Sequence, residues 1–333
     1  MAKIKPPAAG QFYHGVYPGG DDQCPDATLA NLKKYECAVG KRVAFVTCIH
    51  DWSYGKTDFP WDTVNWILDH GAAPYLRLAT WSVAKHYFAE TKYTLKAIAD
   101  GDFDAELTRW GREAAKSRIP LFCEWGTEAN GYWFPWNAAH NGADAGPNYG
   151  APLFRKAYQR IICTTRKAGA DNISWVFHVN WDDNPKESWN RLEDYDPGCE
   201  FTDWIGISIY GSQSPDSQSQ DWVDFASAMN GTAQKEGVYP RVCRLKGNRP
   251  IMVSEFGFAN NSACPRQPAA WTQGTLTAIL HNCWPRLAGF SWWNESWKQG
   301  NELVELHVQN SPGVKEVFQT QLQSARVLDR PNY

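Results

Sequence analysis

The chain has 333 residues, which is long enough for one large α/β barrel or two average domains, and 43% of them are hydrophobic. Its negative mean hydropathy argues against a membrane protein. The 33 basic and 36 acidic side chains are well mixed and give a net charge of −3, so nothing favours nucleic acid as a partner.

Short apolar runs recur along the chain, and most are followed by a stretch with helical periodicity. The predicted strands are Phe12–Tyr17, Val43–His50, Ala73–Leu78, Pro120–Trp125, Ile173–Val179, Trp204–Tyr210, Pro250–Phe256 and Ala288–Trp293. The predicted helices are Trp61–His70, Ala105–Ser117, Ala151–Ala168, Trp222–Lys235, Pro268–Cys283 and Val314–Ala325.

This alternation of eight strands with helices is typical of an α/β (β/α)8 TIM barrel. A doubly wound open sheet is the competing fold, but no GxGxxG or Walker-type loop follows the first strand. Because no segment has the composition of a linker, we expect residues 1–333 to form a single catalytic TIM-barrel domain. The polar stretches Asn137–Gly150 and Gly211–Gln220 are predicted to be loops at the rim of the barrel.

Tryptophan is the conspicuous excess in this composition, with 18 residues. Dense clusters flanked by polar residues occur at 133–136 and 292–297. Since apolar sugar faces stack on indole and ligand pockets are aromatic-lined, these clusters favour a carbohydrate site over core packing alone.

The nine cysteines show no CxxC or Cys/His spacing typical of zinc, so we predict neither a metal site nor a cofactor. Cys48, Cys123 and Cys163 lie in apolar runs and are predicted to be buried thiols, whereas Cys24 and Cys37 could form a disulfide. The amino terminus lacks the apolar core of a signal peptide. We expect a secreted protein whose leader is absent from this sequence, with a cytoplasmic protein as the alternative.

Two glutamates are placed for catalysis, because functional side chains of such barrels lie at the carboxyl ends of the strands. Glu128 follows predicted strand four, and Glu255 ends predicted strand seven after the apolar run that begins at Ile251. Cleavage of a glycosidic bond needs two carboxyl groups, one to protonate the leaving oxygen and one to attack or to activate water. The alternative is that they are two surface glutamates near loops.

The segment Ile119–Trp136 contains Glu-x-Asn-Gly-x-Trp-Phe-x-Trp and resembles the acid/base segment of glycoside hydrolase family 26. Further similar patches lie at 175–178, 195–198, 203–206 and 254–257. The resemblance implies a TIM barrel of the retaining clan A, related to β-mannanases and β-glucanases. It also implies that Glu128 is the acid/base, Glu255 the nucleophile and Tyr210 the residue that orients the nucleophile.

Three positions depart from the family pattern. Family 26 mannanases usually carry His at the position of Thr127, Arg at that of Glu124 and Asp at that of Ser208. The changes indicate an altered polar network around the sugar, and we expect Glu124 to pair with Arg77 on the neighbouring strand three.

The resemblance further implies that Trp293 is the stacking platform beneath the sugar that is cleaved, with a core aromatic as the alternative. Glu295 is the rival catalytic carboxylate, in a less favourable place past strand eight, and Asp182 and Asp183 could cap a loop or bind sugar or calcium. Other residues near strand ends are predicted to contact substrate: Trp52, Asp51, Arg77, Glu124, Asn130, Trp133, His178, Asn180 and Trp181.

The function expected from these residues is endo-acting, retaining hydrolysis of a β-linked polysaccharide of mannan or glucan type. A β-1,3 or mixed-linkage glucanase is one alternative, and a catalytically silent polysaccharide-binding barrel is another. The expected partners are β-linked polysaccharides or oligosaccharides, with no nucleic acid and no membrane, and the chain is expected to be a monomer.

Overall fold

A computed structural model describes residues 2–21, 26–213, 222–260 and 267–333. Eight parallel strands pair in chain order, and β1 closes on β8 with Tyr17 opposite Trp293. The strands are β1 Phe12–Tyr17, β2 Phe45–Asp51, β3 Ala73–Ala79, β4 Leu121–Trp125, β5 Ile173–Asn180, β6 Trp204–Tyr210, β7 Ile251–Gly257 and β8 Leu287–Trp293. The predicted (β/α)8 barrel is thereby confirmed.

Helices connect the strands on the outside of the barrel. They are α1 Leu29–Val39, α2 Trp61–His70, α3 Leu95–Asp100, α4 Asp104–Ser117, α5 Gly150–Lys167, α6 Phe225–Asn230, α7 Val238–Cys243, α8 Gln267–Leu280 and α9 Pro312–Gln321. After β8 the chain forms an antiparallel hairpin, β9 Ser296–Gln299 with β10 Glu302–Glu305, and β11 Val327–Leu328 pairs with β1.

The helix predicted over Trp222–Lys235 is wrong in extent, because glycine interrupts it. Helix α6 ends at Asn230 and is followed by Gly231, whose φ of 92° lies in the left-handed region that favours glycine. The chain then turns at Thr232–Lys235 and starts α7 after Gly237. A Cβ on Gly231 would lie 2.5 Å from the backbone nitrogen of Gly237, so the close turn requires glycine.

Large side chains fill the lower half of the barrel. Phe122 packs edge-on against Phe45 and Trp204, with ring centroids 5.6 and 5.3 Å apart. The same cluster includes Tyr13, Tyr75, Val176, Met252 and Ala288, so all eight strands contribute to a packed floor below the carboxyl ends. A larger cluster packs the helices against the outside of the strands.

The cysteine predictions hold in part. Cys48 and Cys123 are buried, but Cys163 on α5 is exposed, so its predicted burial is wrong. Helical periodicity turns Cys163 outward while Ile161 and Ile162 beside it face the barrel. Cys24 and residues 214–220 of the predicted rim loop lie outside the described residues. Within the described ranges, no helix combines the length and the apolar character needed to cross a membrane.

Candidate active site

Glu255 lies at the mouth of the barrel, nearly buried, with a donor on each carboxylate oxygen. The Tyr210 hydroxyl donates to Oε2 at 2.8 Å, and the Arg77 guanidinium donates to Oε1. The pairing of β6 with β7 shifts register so that Ser208 lies opposite Glu255. Such an irregularity re-aims a strand side chain, here toward the centre of the site.

Glu128 is the second buried carboxyl, on the turn that follows β4. Its φ of 46° is in the left-handed region, and non-glycine residues held there cluster at functional sites. The indole N–H of Trp133 donates to Glu128 Oε2 at 2.6 Å. Burial, and then the nearby charge of Glu255, raise the pKa of Glu128 to about 7. Glu128 therefore holds its proton in conditions under which ordinary glutamates are ionised.

Glu124 is completely buried and accepts hydrogen bonds on both oxygens. Arg77 Nε and the Tyr75 hydroxyl each donate to it at 2.5 Å, His178 Nδ1 lies 2.8 Å away, and the Thr127 hydroxyl also donates. Burial opposes its ionisation, but the charges of His178 and Arg77 hold the pKa of Glu124 well below its usual range. The expected Arg77–Glu124 ion pair is therefore present.

A line of hydrogen bonds runs from Glu124 to Glu128. His178 Nε2 lies 2.7 Å from Ser208 Oγ, and Ser208 is hydrogen-bonded to Glu128. Although burial opposes protonation of His178, the adjacent Glu124 carboxylate raises the pKa of that imidazole. A protonated His178 donates from both ring nitrogens, which leaves the Ser208 hydroxyl proton free to point at Glu128. Glu124 is thus connected to both carboxyls at the mouth.

Trp293 ends β8 on the opposite side of the mouth. Its ring stacks on Tyr17 with centroids 4.0 Å apart, and the Arg77 guanidinium carbon lies 5.0 Å from its centroid. The indole N–H donates to Glu295 Oε2 at 2.8 Å. Burial raises the pKa of Glu295 to about 7, and the charge of Glu255 contributes. In the sequence Glu295 was the less favoured carboxylate, because nothing in its spacing shows that the chain after β8 folds back toward the site.

Besides Glu124 and His178, which are fully buried in the network described above, two further residues predicted to contact sugar lie in the interior. Asn130 is fully buried, and its amide donates to the backbone oxygens of Asn180 and Asp182 and to Asp183 Oδ1. Trp52 is only 1% exposed and packs in the core. Neither offers a surface to a ligand in this structure, and Asn130 instead holds the loop after β5 against the loop after β4.

Three more of the predicted contacts are engaged in loop structure. Asp51 accepts a hydrogen bond from the backbone of Ser53 at 2.6 Å, and the Asn180 side chain donates to Asp182 O at 2.8 Å. The Trp181 ring is covered by the Lys235 ammonium at 3.9 Å, and that ammonium also pairs with Asp182 at 2.7 Å.

Asp183 pairs with Arg241 at 2.7 Å. The sequence left open whether Asp183 caps a loop or binds sugar or calcium, and this ion pair favours the structural role.

A (β/α)8 barrel with two glutamates at its mouth after strands four and seven, one with a raised pKa and one held by Arg77 and Tyr210, has the arrangement of a glycoside hydrolase. The sequence profile of glycosyl hydrolase family 26 matches residues 59–262, more than half of the chain. The chain therefore belongs to glycosyl hydrolase family 26, as its motif had indicated. The family has a retaining mechanism and acts on β-linked polysaccharides.

Similar proteins support the family assignment. Endoglucanase H of Acetivibrio thermocellus is 23% identical over 286 residues, which are 84% of this chain and 27% of that protein. Beta-1,3-xylanase TXYA of a Vibrio species is 32% identical over 117 residues, 35% of this chain and 22% of that protein. The chain thus spans about a quarter of the length of these curated relatives. The structure of the Bacillus subtilis mannanase BCman shares the fold, with a TM-score of 0.65 and 16% identity over 97% of this chain and 88% of that one.

Proposed function

We propose that this chain is an endo-acting, retaining hydrolase of a β-linked polysaccharide of mannan or glucan type, with Glu255 as nucleophile and Glu128 as acid/base. The observation that carries the proposal is the contrast between two neighbouring buried carboxyls. Glu128 keeps its proton, whereas Glu255 is held by the Arg77 guanidinium and the Tyr210 hydroxyl. A carboxyl whose surroundings raise its pKa is suited to the acid role, and its neighbour, which accepts from a guanidinium and a hydroxyl, is placed to attack.

In the first step, Glu255 attacks the anomeric carbon while Glu128 gives its proton to the leaving oxygen. The glycosidic C–O bond breaks, and an ester between the sugar and Glu255 forms. Tyr210 and Arg77 keep the attacking carboxylate in place. In the second step, water attacks the same carbon, Glu128 accepts the water proton, and the ester bond breaks with net retention of configuration.

The structure supplies a reason why Glu128 can change from acid to base. The negative charge of Glu255 is the second largest cause of its raised pKa. Esterification of Glu255 removes that charge, so the pKa of Glu128 falls in the intermediate. An ionised Glu128 is then ready to take a proton from water, and Ser208 and Trp133 stabilise its charge.

The proposed substrate class is supported by relatives whose names specify a mannanase, an endoglucanase and a β-1,3-xylanase. Mannan and β-1,4-glucan remain our first choice. The Vibrio relative, which is 32% identical in its matched region, keeps a β-1,3-linked chain as the second. A silent binding barrel is disfavoured, since binding alone gives no reason to bury two neighbouring carboxyls, one with a raised pKa and the other held by Arg77 and Tyr210.

The test is a screen of wild type and Glu255→Ala on β-mannan, β-1,4-glucan, β-1,3-glucan, mixed-linkage glucan and β-1,3-xylan, read by reducing ends. We expect wild type to cleave at least one polymer into oligosaccharides of several lengths, as an endo-enzyme does, and the variant to be inactive. Proton NMR of the first product should show the β-anomer. Activity that survives Glu255→Ala, or an α-anomeric first product, would refute the assigned mechanism.

A further inference from the structure

Two tyrosines stand exposed at the rim beside the acid/base. Tyr87 and Tyr132 are 61% and 38% exposed, and their rings meet edge to face with centroids 5.1 Å apart. We name these two residues the tyrosine pair. Exposed apolar groups that form a contiguous patch, rather than standing singly, mark places where a soluble protein meets a partner or ligand.

The tyrosine pair is continuous with Glu128. Tyr132 contacts Trp133 at 6.1 Å between ring centroids, and the Trp133 indole donates its hydrogen bond to Glu128. The Glu128 carboxylate also contributes, after burial and Tyr132, to a raised pKa of Tyr87. An aromatic surface therefore begins at the catalytic acid and extends outward from it.

The exposed rings are nevertheless held in place. Tyr87 has a φ of 58°, and its backbone N–H donates to Trp133 O at 2.8 Å. His86 beside it packs on Phe134 at 5.2 Å, and the Tyr132 N–H donates to Asn184 O at 2.9 Å. A bulky residue kept in the left-handed region is strained, and such strain is retained where function requires it. A ring whose backbone is fixed by neighbours loses less freedom when it binds a ligand.

The position of the tyrosine pair beside Glu128 indicates which part of the substrate the pair would contact. Glu128 protonates the leaving oxygen, so groups that extend outward from Glu128 face the leaving portion of the chain. Trp293 and Tyr17 lie at the junction of β8 and β1, and β4 is four strands away from β8 in either direction around the barrel. A polysaccharide that crosses the mouth would therefore contact Trp293 on one side of the cleaved bond and the tyrosine pair on the other.

We propose that Tyr87 and Tyr132 form a stacking platform for a leaving-side sugar of a β-linked chain. The inference rests on the proposed hydrolysis. The platform would hold the sugars that depart in the first step, and it would hold an acceptor sugar when one replaces water in the second.

The experiment compares a substrate that places sugars on the leaving side with one that places none there. One is whichever polysaccharide of the screen wild type cleaves fastest. The other is the 2,4-dinitrophenyl β-glycoside of the matching disaccharide, which is mannobiose, cellobiose, laminaribiose or xylobiose. Its leaving group, dinitrophenolate, carries no sugar and departs without protonation. The variants are Tyr87→Ala, Tyr132→Ala and the double variant, with the two Tyr→Phe variants as rescue. Tyr333→Ala is the control, because Tyr333 is 49% exposed at the far, amino-terminal end of the barrel beside Lys5.

We expect the double alanine variant to lose roughly thirtyfold in kcat/KM on the polymer, since each of the two aromatic contacts contributes about fivefold. The aryl glycoside should be hydrolysed at the wild-type rate, and the Phe variants and Tyr333→Ala should match wild type on both substrates. Transfer to added disaccharide acceptor should fall in parallel with the polymer activity. Equal loss on both substrates, or unchanged polymer cleavage, overturns the platform while leaving the hydrolase intact. A wild type inactive on every substrate refutes the hydrolase itself, and the platform with it.

Discussion

Arg77 donates to Glu124 from Nε at 2.5 Å and to Glu255 from Nη2, so one guanidinium joins two carboxylates. Glu124 is fully buried and touches no open surface, whereas Glu255 lies at the mouth. The negative charge of Glu124 compensates the positive charges of Arg77 and His178. Arg77 can therefore donate to Glu255 without leaving an uncompensated charge in the interior.

Neutralising Glu124 should therefore damage both stability and catalysis. In Glu124→Gln, Arg77 and His178 lose their common counter-ion in the interior, and we expect a loss of ~3–5 kcal/mol in the free energy of unfolding. Because the pKa of Glu124 is depressed in the folded state, its stabilisation is present above about pH 4, the ordinary value for Glu, and is lost as the pH falls. Urea unfolding of both proteins should show a gap at pH 7 that narrows in acid. A constant gap from pH 7 to pH 3 would contradict this account.

The pH dependence of kcat/KM should fall on the alkaline side with a midpoint near the pKa of Glu128, about 7. The sign follows from the role, because the acid must be protonated in the free enzyme and loses its proton as the pH rises. Above the midpoint the rate should drop about tenfold per pH unit. Values of kcat/KM on the polymer over a range of pH measure this midpoint and slope. With Glu128→Gln and a dinitrophenyl glycoside, whose first step needs no acid, the alkaline limb should be absent, and its persistence would assign the limb to another group.

The barrel was predictable from the sequence because burial on both faces of parallel strands produces continuous apolar runs, and all eight were visible. Glu255 was equally visible, as a carboxylate that ends such a run. The roles of Asn130 and Trp52 were not predictable from the sequence, since a position at a strand end does not show whether the side chain turns toward the cleft or toward the interior. Asn130 turns inward because backbone carbonyls of the next loop need a donor, and those carbonyls are distant in sequence.

Helix α6 was overestimated for a different reason. The amphipathic pattern continues past Asn230, but Gly231 adopts a positive φ there and its backbone approaches Gly237 too closely for a side chain, so the helix ends in a tight turn. Glu295 shows the same limit of local reasoning. Its proximity to the site depends on the chain after β8 folding back, with Ser296 donating to the backbone oxygen of Gly20 at 3.1 Å.

Ser208→Ala should move the alkaline limb to higher pH. The hydrogen bond from Ser208 lowers the pKa of Glu128, so its removal makes the acid hold its proton more firmly. Trp133→Phe removes the other donor and should shift the limb in the same direction. A pH–rate profile for each variant gives the midpoint, and thermal unfolding checks that the fold is intact. A downward shift in either variant would show that its hydrogen bond favours the protonated form of Glu128.

Asn130→Ala should act through stability rather than through sugar binding. The Asn130 amide donates to Asn180 O at 3.0 Å and to Asp183 Oδ1 at 2.9 Å, and its oxygen accepts from the backbone of Asn180 at 2.8 Å. Removing a buried side chain that satisfies several partners costs ~1–3 kcal/mol for each polar group left unpaired. We expect a clear drop in the midpoint of thermal unfolding, while KM measured well below that midpoint stays within about twofold of wild type. Tyr333→Ala serves again as the control that should leave both quantities unchanged. A raised KM without any loss of stability would return Asn130 to the substrate contacts that its position in the motif first predicted.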